Sequence, residues 1–428
     1  MEREWLEQKM YLFLDQMIEN GHLKSYAELR ELLENTKRLV IQYGQIEPLR
    51  KSLLNNWSKE VKQQFQQLPT AGITAGIQLE DGTEALTYGG MDSSDPDATP
   101  ITMTTRFDSN SLTKLFTATQ ALKDYELRFI GLNDPLSYYN SNLMQAGTFL
   151  EELNFYHQYR TDGHLKYCTS EEEALQKLYQ AKRIRSKIHL YDDLPYMMVR
   201  QALPDFKEHF EIYFHEILGL SFTGYEVHST DHITGGRKGE LRTLYDPKAR
   251  VLPFSGHAGI YTTSHDLNQL FLGFSDERFL KRDTLNLLST SILPGEYVKD
   301  QHGKIVLERQ ERDQQIIYEP LYIKRGMMYR HHGMGMTKTE VLPWTGTKTF
   351  AAAGYTGCWC LFDLQNGFAM NLLTNPCSYS ETGEKPEDYT HHLDELKLKM
   401  LETTIQLRFL QELEASFEEP KKQYQYKI

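Results

Sequence analysis

Ser111 and Lys114 stand three residues apart in Asp108-Ser109-Asn110-Ser111-Leu112-Thr113-Lys114. A serine hydroxyl is a weak nucleophile until a neighbouring group takes its proton, and residues three apart share one face of a helical turn. The stretch follows a strand end at Thr104–Phe107 and opens a helix, because polar residues precede the apolar positions Leu115, Phe116, Ala118 and Leu122. A helix N-terminus also favours a developing alkoxide. Lys114 can take the serine proton if burial or a nearby cation keeps it neutral. On its own, Ser-x-x-Lys arises by chance in most chains of this size. An exposed lysine beside a cap-adjacent serine is the simpler account of those four residues alone.

The elements around this segment change along the chain. Up to Leu68 the apolar residues recur at helical spacing, with Gly21 and Gly44 as breaks and Pro69 as the end. This predicts a helical extension, residues 1–68, either a cap packed on the main body, the favoured reading, or a docking or dimerising arm. From Thr70 the alternation Ile73, Ile77, Leu79, then Glu80-Asp81-Gly82 and Ala85–Tyr88, predicts a β-hairpin with an Asp-Gly turn. Met91–Thr99 reads as a surface loop. From Leu112 to about Tyr329 the texture is mainly helical with long irregular connections. Strands return at Thr347–Tyr355, Cys358–Asp363 and Phe368–Thr374, with Gln365-Asn366-Gly367 as a turn. One long amphipathic helix, about Asp388–Leu413, and a charged tail, 416–428, close the chain. Strands at both ends and helices between them predict one α+β body over residues 69–415: an antiparallel sheet flanked by terminal helices, with a large helical insertion.

Charge and cysteine usage narrow the function. The 59 acidic residues outnumber the 47 Lys and Arg, for a net charge of −12, which disfavours a nucleic-acid surface. No apolar run approaches the roughly 18–20 residues of a membrane span, and Met1–Gln8 does not resemble a signal peptide. Cytoplasmic residence is the expectation, and four cysteines in 428 residues fit reduced thiols. Cys358 and Cys360 should share one strand face. The adjacent pairs His331-His332 and His391-His392 point apart on a strand or helix and rarely chelate one ion. No metal and no cofactor is expected, and no phosphate-binding loop is present.

Phe107 to Thr119 resembles the nucleophile segment of the serine β-lactamase and penicillin-binding-protein superfamily, most of all the class C β-lactamases and their esterase relatives. Further segments match in the family's order. Leu132–Leu136 is similar to its "LDDP" turn, and Tyr191-Asp192-Asp193-Leu194 to its Tyr-x-Asn/Asp element. Tyr245–Ala249 with Ser255–Thr263 looks like "HDPKA…AGHAGLFST". Gly354-Tyr355-Thr356-Gly357 and Leu372–Asn375 resemble "GFTG" and "LLTN". The likeness runs from about Thr70 to Leu410. It implies Ser111 as an acylated nucleophile, Lys114 as its proton acceptor and Tyr191 as the acid/base that protonates the leaving group and activates water. Asp193 stands where many relatives carry Asn, and a carboxylate cannot donate to a substrate amide. His257, within Gly256–Gly259, either lines the cleft or is structural. The backbone N–H groups of Ser111 and Tyr355, the latter just after Gly354, would form the oxyanion hole.

One departure stands out. The family's Lys/His-Thr-Gly strand corresponds here to Ala352-Ala353-Gly354, so two polar side chains that engage a substrate carboxylate are missing. Trp344-Thr345-Gly346 also contains Thr-Gly, but it puts the following strands out of register. The resemblance then implies a serine hydrolase acting on an ester or amide that needs no carboxylate, a small-molecule or peptide-like substrate. A catalytically silent binding protein and a penicillin-recognising D,D-peptidase are the alternatives.

Overall fold

Three helices open the chain: α1 spans Arg3–Asn20, α2 Tyr26–Tyr43 and α3 Ile46–Phe65. Gly44 ends α2 with φ +70°, and its N–H closes back on the Val40 carbonyl at 3.0 Å, a termination that glycine makes without steric cost. The computed structural model describes residues 3–20, 26–186, 191–240, 242–289, 297–299, 305–312, 315–320, 330–331, 337–338, 342, 344–346, 349–387 and 389–424.

β1 (Gly72–Leu79) and β2 (Glu84–Gly90) form the expected hairpin. Its turn is closed by Asp81, whose carboxylate accepts the Thr83 N–H at 2.8 Å, and by Gly82 at φ +90°. β3 (Arg106–Asp108) leads to the Ser111 segment. From the far end of the chain come β4 (Thr349–Ala353), β5 (Trp359–Asp363) and β6 (Phe368–Thr374). The main sheet has the order Arg330–His331, Thr337–Lys338, β4, β5, β6, β1, β2, with antiparallel neighbours throughout. Both ends of the chain therefore build one sheet, with the helical region inserted between them.

Alternation along β5 and β6 divides the interior. Trp359, Leu361, Phe368, Met370 and Leu372 face one way, into a core shared with α1–α3 and the terminal helix. Cys360, Phe362, Ala369 and Leu373 face the other way, toward the helical region, and Cys358 joins that second core. All four cysteines are buried and free. The N-terminal helices belong to the first core: Phe13 of α1 meets Phe409 with ring centroids 5.4 Å apart. The second core holds α4 (Thr113–Glu126), α5 (Leu194–Ala202) and α6 (Ser264–Ser275), the last lying against β1 and β6.

Two differences from the sequence reading have physical causes. The region read as mainly helical, 112–329, also carries short strands that the sequence reading did not name. His157–Arg160 pairs with Lys182–Ser186, and Ile233–Thr234 and Tyr261–Thr262 flank β3. Tyr297–Lys299, Ile305–Arg312 and Gln315–Pro320 form a further three-stranded sheet. The charged run Glu308–Arg312 breaks the apolar alternation that announces a strand. The terminal helix α7 spans Tyr389–Tyr424, so it continues through most of the segment read as a tail. Among the described residues no helix is long and apolar enough to cross a membrane.

Candidate active site

Asn110-Ser111-Leu112 form a single 3₁₀ turn between β3 and α4. Asp108 shapes it: one carboxylate oxygen accepts the Asn110 N–H at 2.9 Å and the other the Tyr245 N–H at 2.7 Å. Burial pushes the Asp108 carboxyl up to about 6, against the pull of those two donors. Asn110 adopts φ +46°, the left-handed region that asparagine enters more readily than other side chains. The start of α4 carries no side-chain cap hydrogen bond, so this turn leads into the helix that the polar run announced. Leu112, Leu115 and Phe116 are buried behind it and hold Ser111 at the surface of the second core.

The structure brings Ser111, Lys114, Tyr191, Asp193 and His257 together. Ser111 Oγ lies 2.7 Å from Tyr191 OH and 3.2 Å from Lys114 Nζ. Lys114, wholly buried, reaches Tyr191 OH at 2.7 Å, Asp193 Oδ1 at 2.8 Å and the His257 carbonyl oxygen at 3.1 Å. Burial alone would push the Lys114 ammonium down, but the Asp193 carboxylate and the Tyr191 oxygen outweigh it and hold it above the usual lysine range. Its surroundings thus oppose the neutral amine that proton acceptance by Lys114 requires.

Asp193 begins α5 but makes no capping hydrogen bond; Asp192 accepts the Leu194 N–H at 3.2 Å instead. The Asp193 carboxylate is turned to Lys114 on one oxygen and to Lys248 on the other. Burial works against its charge, yet Lys114, His257 and Lys248 together hold it well below the ordinary carboxylate range. Lys248 Nζ also lies 3.9 Å from Asp246, whose other oxygen is 3.3 Å from His257 Nε2. Despite burial, His257 and Lys248 hold the Asp246 carboxyl down at about 2. Asp193, Asp246 and His257 present ligand atoms within 4.8 Å of one another, a set that could in composition hold a cation. The Lys248 ammonium already provides positive charge to both carboxylates. His257 serves mainly through its backbone and through Asp246, and its ring is buried.

Gly354 sits against the Ser111 turn. A Cβ there would collide with the Ser109 carbonyl oxygen, so only glycine lets β4 end this close. Thr356 ties the two segments, its hydroxyl donating to the Asp108 carbonyl at 2.7 Å. The Tyr355 N–H has no acceptor among the described residues, and the Tyr355 ring stacks on Tyr245 at 5.2 Å. Ala352 is buried in the second core, while Ala353 is exposed. Lys248, Thr356 and Asn110 were all within view in the sequence but carried no recognised role, because their partners lie far off in the chain or, for Asn110, depend on a left-handed turn. A cavity of about 610 Å³ borders Asp193 and Lys248 and is lined also by Arg160, His164 and Lys166. Of the paired histidines, His332 and the side chain of His391 lie outside the described residues.

No curated protein matched the chain. Solved structures did, at identities that establish the fold. A class C β-lactamase aligns with TM-score 0.55 at 14% identity, covering 82% of this chain and 95% of its own. EstCE1, a hydrolase with promiscuous acyltransferase activity, aligns with TM-score 0.58 at 16% identity, covering 82% and 98%. The octameric penicillin-binding protein homologue from Pyrococcus abyssi aligns with TM-score 0.57 at 14% identity, covering 81% and 77%. A β-lactamase family model matches residues 61–389. Since that match takes in most of the sequence, including the Ser111 turn, both sheet ends and the Gly354 strand, the chain belongs to the β-lactamase family.

Proposed function

We propose that the protein is a serine hydrolase that forms an acyl-enzyme on Ser111 from an ester or amide. The observation that carries this reading is the triangle of Ser111 Oγ, Tyr191 OH and Lys114 Nζ, with sides of 2.7, 2.7 and 3.2 Å. Because Lys114 is held as an ammonium, we assign the first proton transfer to Tyr191 rather than to Lys114. Acting as a phenolate, with the Lys114 ammonium 2.7 Å from its oxygen, Tyr191 takes the proton of Ser111 as Oγ attacks the carbonyl carbon. The backbone N–H groups of Ser111 and Tyr355 receive the oxyanion. Tyr191 then gives its proton to the leaving alcohol or amine as the bond to carbon breaks. Water, deprotonated by Tyr191, attacks the Ser111 ester, and the acid leaves as the serine takes its proton back.

Ala352 and Ala353 offer neither a cation nor a hydroxyl, so the favoured substrate is one without a carboxylate beside the scissile bond. The same alanines support the alternative of a silent binding protein. Intact mass after incubation with a fluorophosphonate, beside Ser111→Ala, tests the choice. A single phosphonyl adduct on the wild type alone is the expected outcome. A folded wild type that takes no adduct would favour the silent fold.

A further inference from the structure

The side chain immediately before the nucleophile occupies one of the two backbone donors. Asn110 Oδ1 accepts the Ser111 N–H at 2.8 Å and lies 3.3 Å from Ser111 Oγ. The assignment of oxygen rather than nitrogen to that position follows from the chemistry: an N–H donor must face an acceptor. Three features hold the amide there. Asn110 is almost fully buried. Its N–H is fixed by Asp108, and its backbone is held in the left-handed region. Gly354 abuts it as well, since a Cβ on that residue would come within 3.3 Å of Asn110 Cβ. The Asn110 carboxamide is therefore wedged between the nucleophile turn and the strand end that carries the second donor, Tyr355 N–H. No acceptor among the described residues engages that second donor.

We propose that the Asn110 carboxamide is a plug on the oxyanion hole, which a substrate carbonyl oxygen must displace from the Ser111 N–H before Ser111 can be acylated. This rests on the reading of Ser111 as nucleophile. The hole must present its donors to the incoming oxyanion, and a donor already engaged by a side chain contributes only after that bond is broken. The plug thus sets a threshold on the substrate: its carbonyl oxygen must accept well enough to replace the Asn110 amide oxygen on the Ser111 N–H, so a strong acceptor opens it more readily than a weak one. Asn110 acts through the Ser111 N–H and is a positioning residue.

The test compares phosphonylation rates of wild type, Asn110→Gly and Asn110→Asp with one fluorophosphonate, followed by intact mass at pH 7, with thermal melts to verify folding. Glycine removes the plug and is at ease at φ +46°. Losing one neutral hydrogen bond should speed acylation of Asn110→Gly by about threefold to tenfold. Aspartate keeps the shape but binds the same N–H with a full charge and repels the oxyanion, so acylation should slow by at least about tenfold. A role confined to shaping the turn does not give changes of opposite sign. Rates within twofold of wild type in both variants, or a slower Asn110→Gly, would overturn the plug and leave Ser111 as nucleophile. An adduct on Asn110→Gly with none on wild type would support a plug that is fully closed at rest. No adduct on any of the three folded proteins would overturn the serine-hydrolase reading and the plug with it.

Discussion

Asp193 stands between Lys114 and Lys248, giving one carboxylate oxygen to each ammonium. Among the described residues neither lysine has an equally close carboxylate to replace it: Lys248 keeps Asp246 at 3.9 Å, and Lys114 keeps the hydroxyls of Ser111 and Tyr191 and the His257 carbonyl oxygen. Asp193→Ala therefore leaves the buried Lys114 ammonium without a carboxylate, with the half-buried Lys248 close by, and should cost about 3 kcal/mol of stability, within the range for breaking a buried ion pair. Urea unfolding at pH 7 measures it. A loss below about 1 kcal/mol would mean that solvent screens the pair as it screens surface pairs.

The same carboxylate fixes the sign of a pH effect. Its folded-state pKa is depressed, so its contribution to stability is fully present above the ordinary carboxyl value of about 4 and is lost as the pH falls through the lower folded value. Asp193→Asn has no such proton to gain. Between pH 7 and pH 3 the melting temperature of Asp193→Asn should fall by less than that of wild type. Equal falls in the two proteins would show that Asp193 does not contribute to acid unfolding.

Phe13 and Phe409 join the N-terminal helices to α7, and both are buried. If α1 is part of the main core rather than a loose arm, truncating its central ring should destabilise the whole fold. Phe13→Ala is expected to cost about 3 kcal/mol, the usual range for a buried phenylalanine. Its unfolding should remain a single transition. A separate early transition, with the main one unmoved, would identify α1–α2 as an independently unfolding unit.

The elements that repeat at fixed spacing were legible in the sequence. Ile73, Ile77 and Leu79 before Asp81-Gly82 marked the hairpin, and Cys358 and Cys360 marked one face of a strand. Ser111 and Lys114 were legible because their helical spacing puts them on one face and the segment around them resembles a family's nucleophile segment. Lys248 was not, for its partner Asp193 lies 55 residues away and only the folded chain places them in contact. Asn110 read only as one of several polar residues that precede a helix. In the fold, its positive φ turns the carboxamide onto the next N–H instead. The charge state of Lys114 was also beyond reach, since burial and the Asp193 contact act in opposite directions and their balance depends on geometry.

Ala352 and Ala353 make separable predictions because one is buried and the other exposed. A neutral short-chain aryl ester should have a kcat/KM at least about 100-fold above that of a cephalosporin, a difference of roughly 3 kcal/mol in transition-state binding. Ala353→Thr restores a hydroxyl at a solvent-facing position and should change stability by less than about 0.5 kcal/mol. It should narrow the gap between the two substrates. Ala352→Lys would instead place an ammonium in the second core and destabilise the protein. Efficient cephalosporin turnover by the wild type would falsify the assigned preference.

Tyr191 and Lys114 differ in what their removal should do. The Tyr191 ring is 44% exposed, and its phenol makes contacts with Ser111 and Lys114 that concern the reaction more than the fold. Tyr191→Phe should therefore retain the wild-type melting temperature within a few degrees, yet lose at least about 10²-fold in acylation as the proton acceptor disappears. Lys114→Met removes a buried charge from beside Asp193. Asp193 still holds Lys248, so the variant should remain folded, with acylation reduced as severely because negative charge on Tyr191 then lacks its cation. The order of the two losses tests the assignment. If Lys114 were the proton acceptor, Tyr191→Phe would keep substantial phosphonylation while Lys114→Met lost it. Stopped-flow or timed intact-mass measurement on both variants separates the mechanisms, since only a Tyr191 acceptor makes the phenol indispensable.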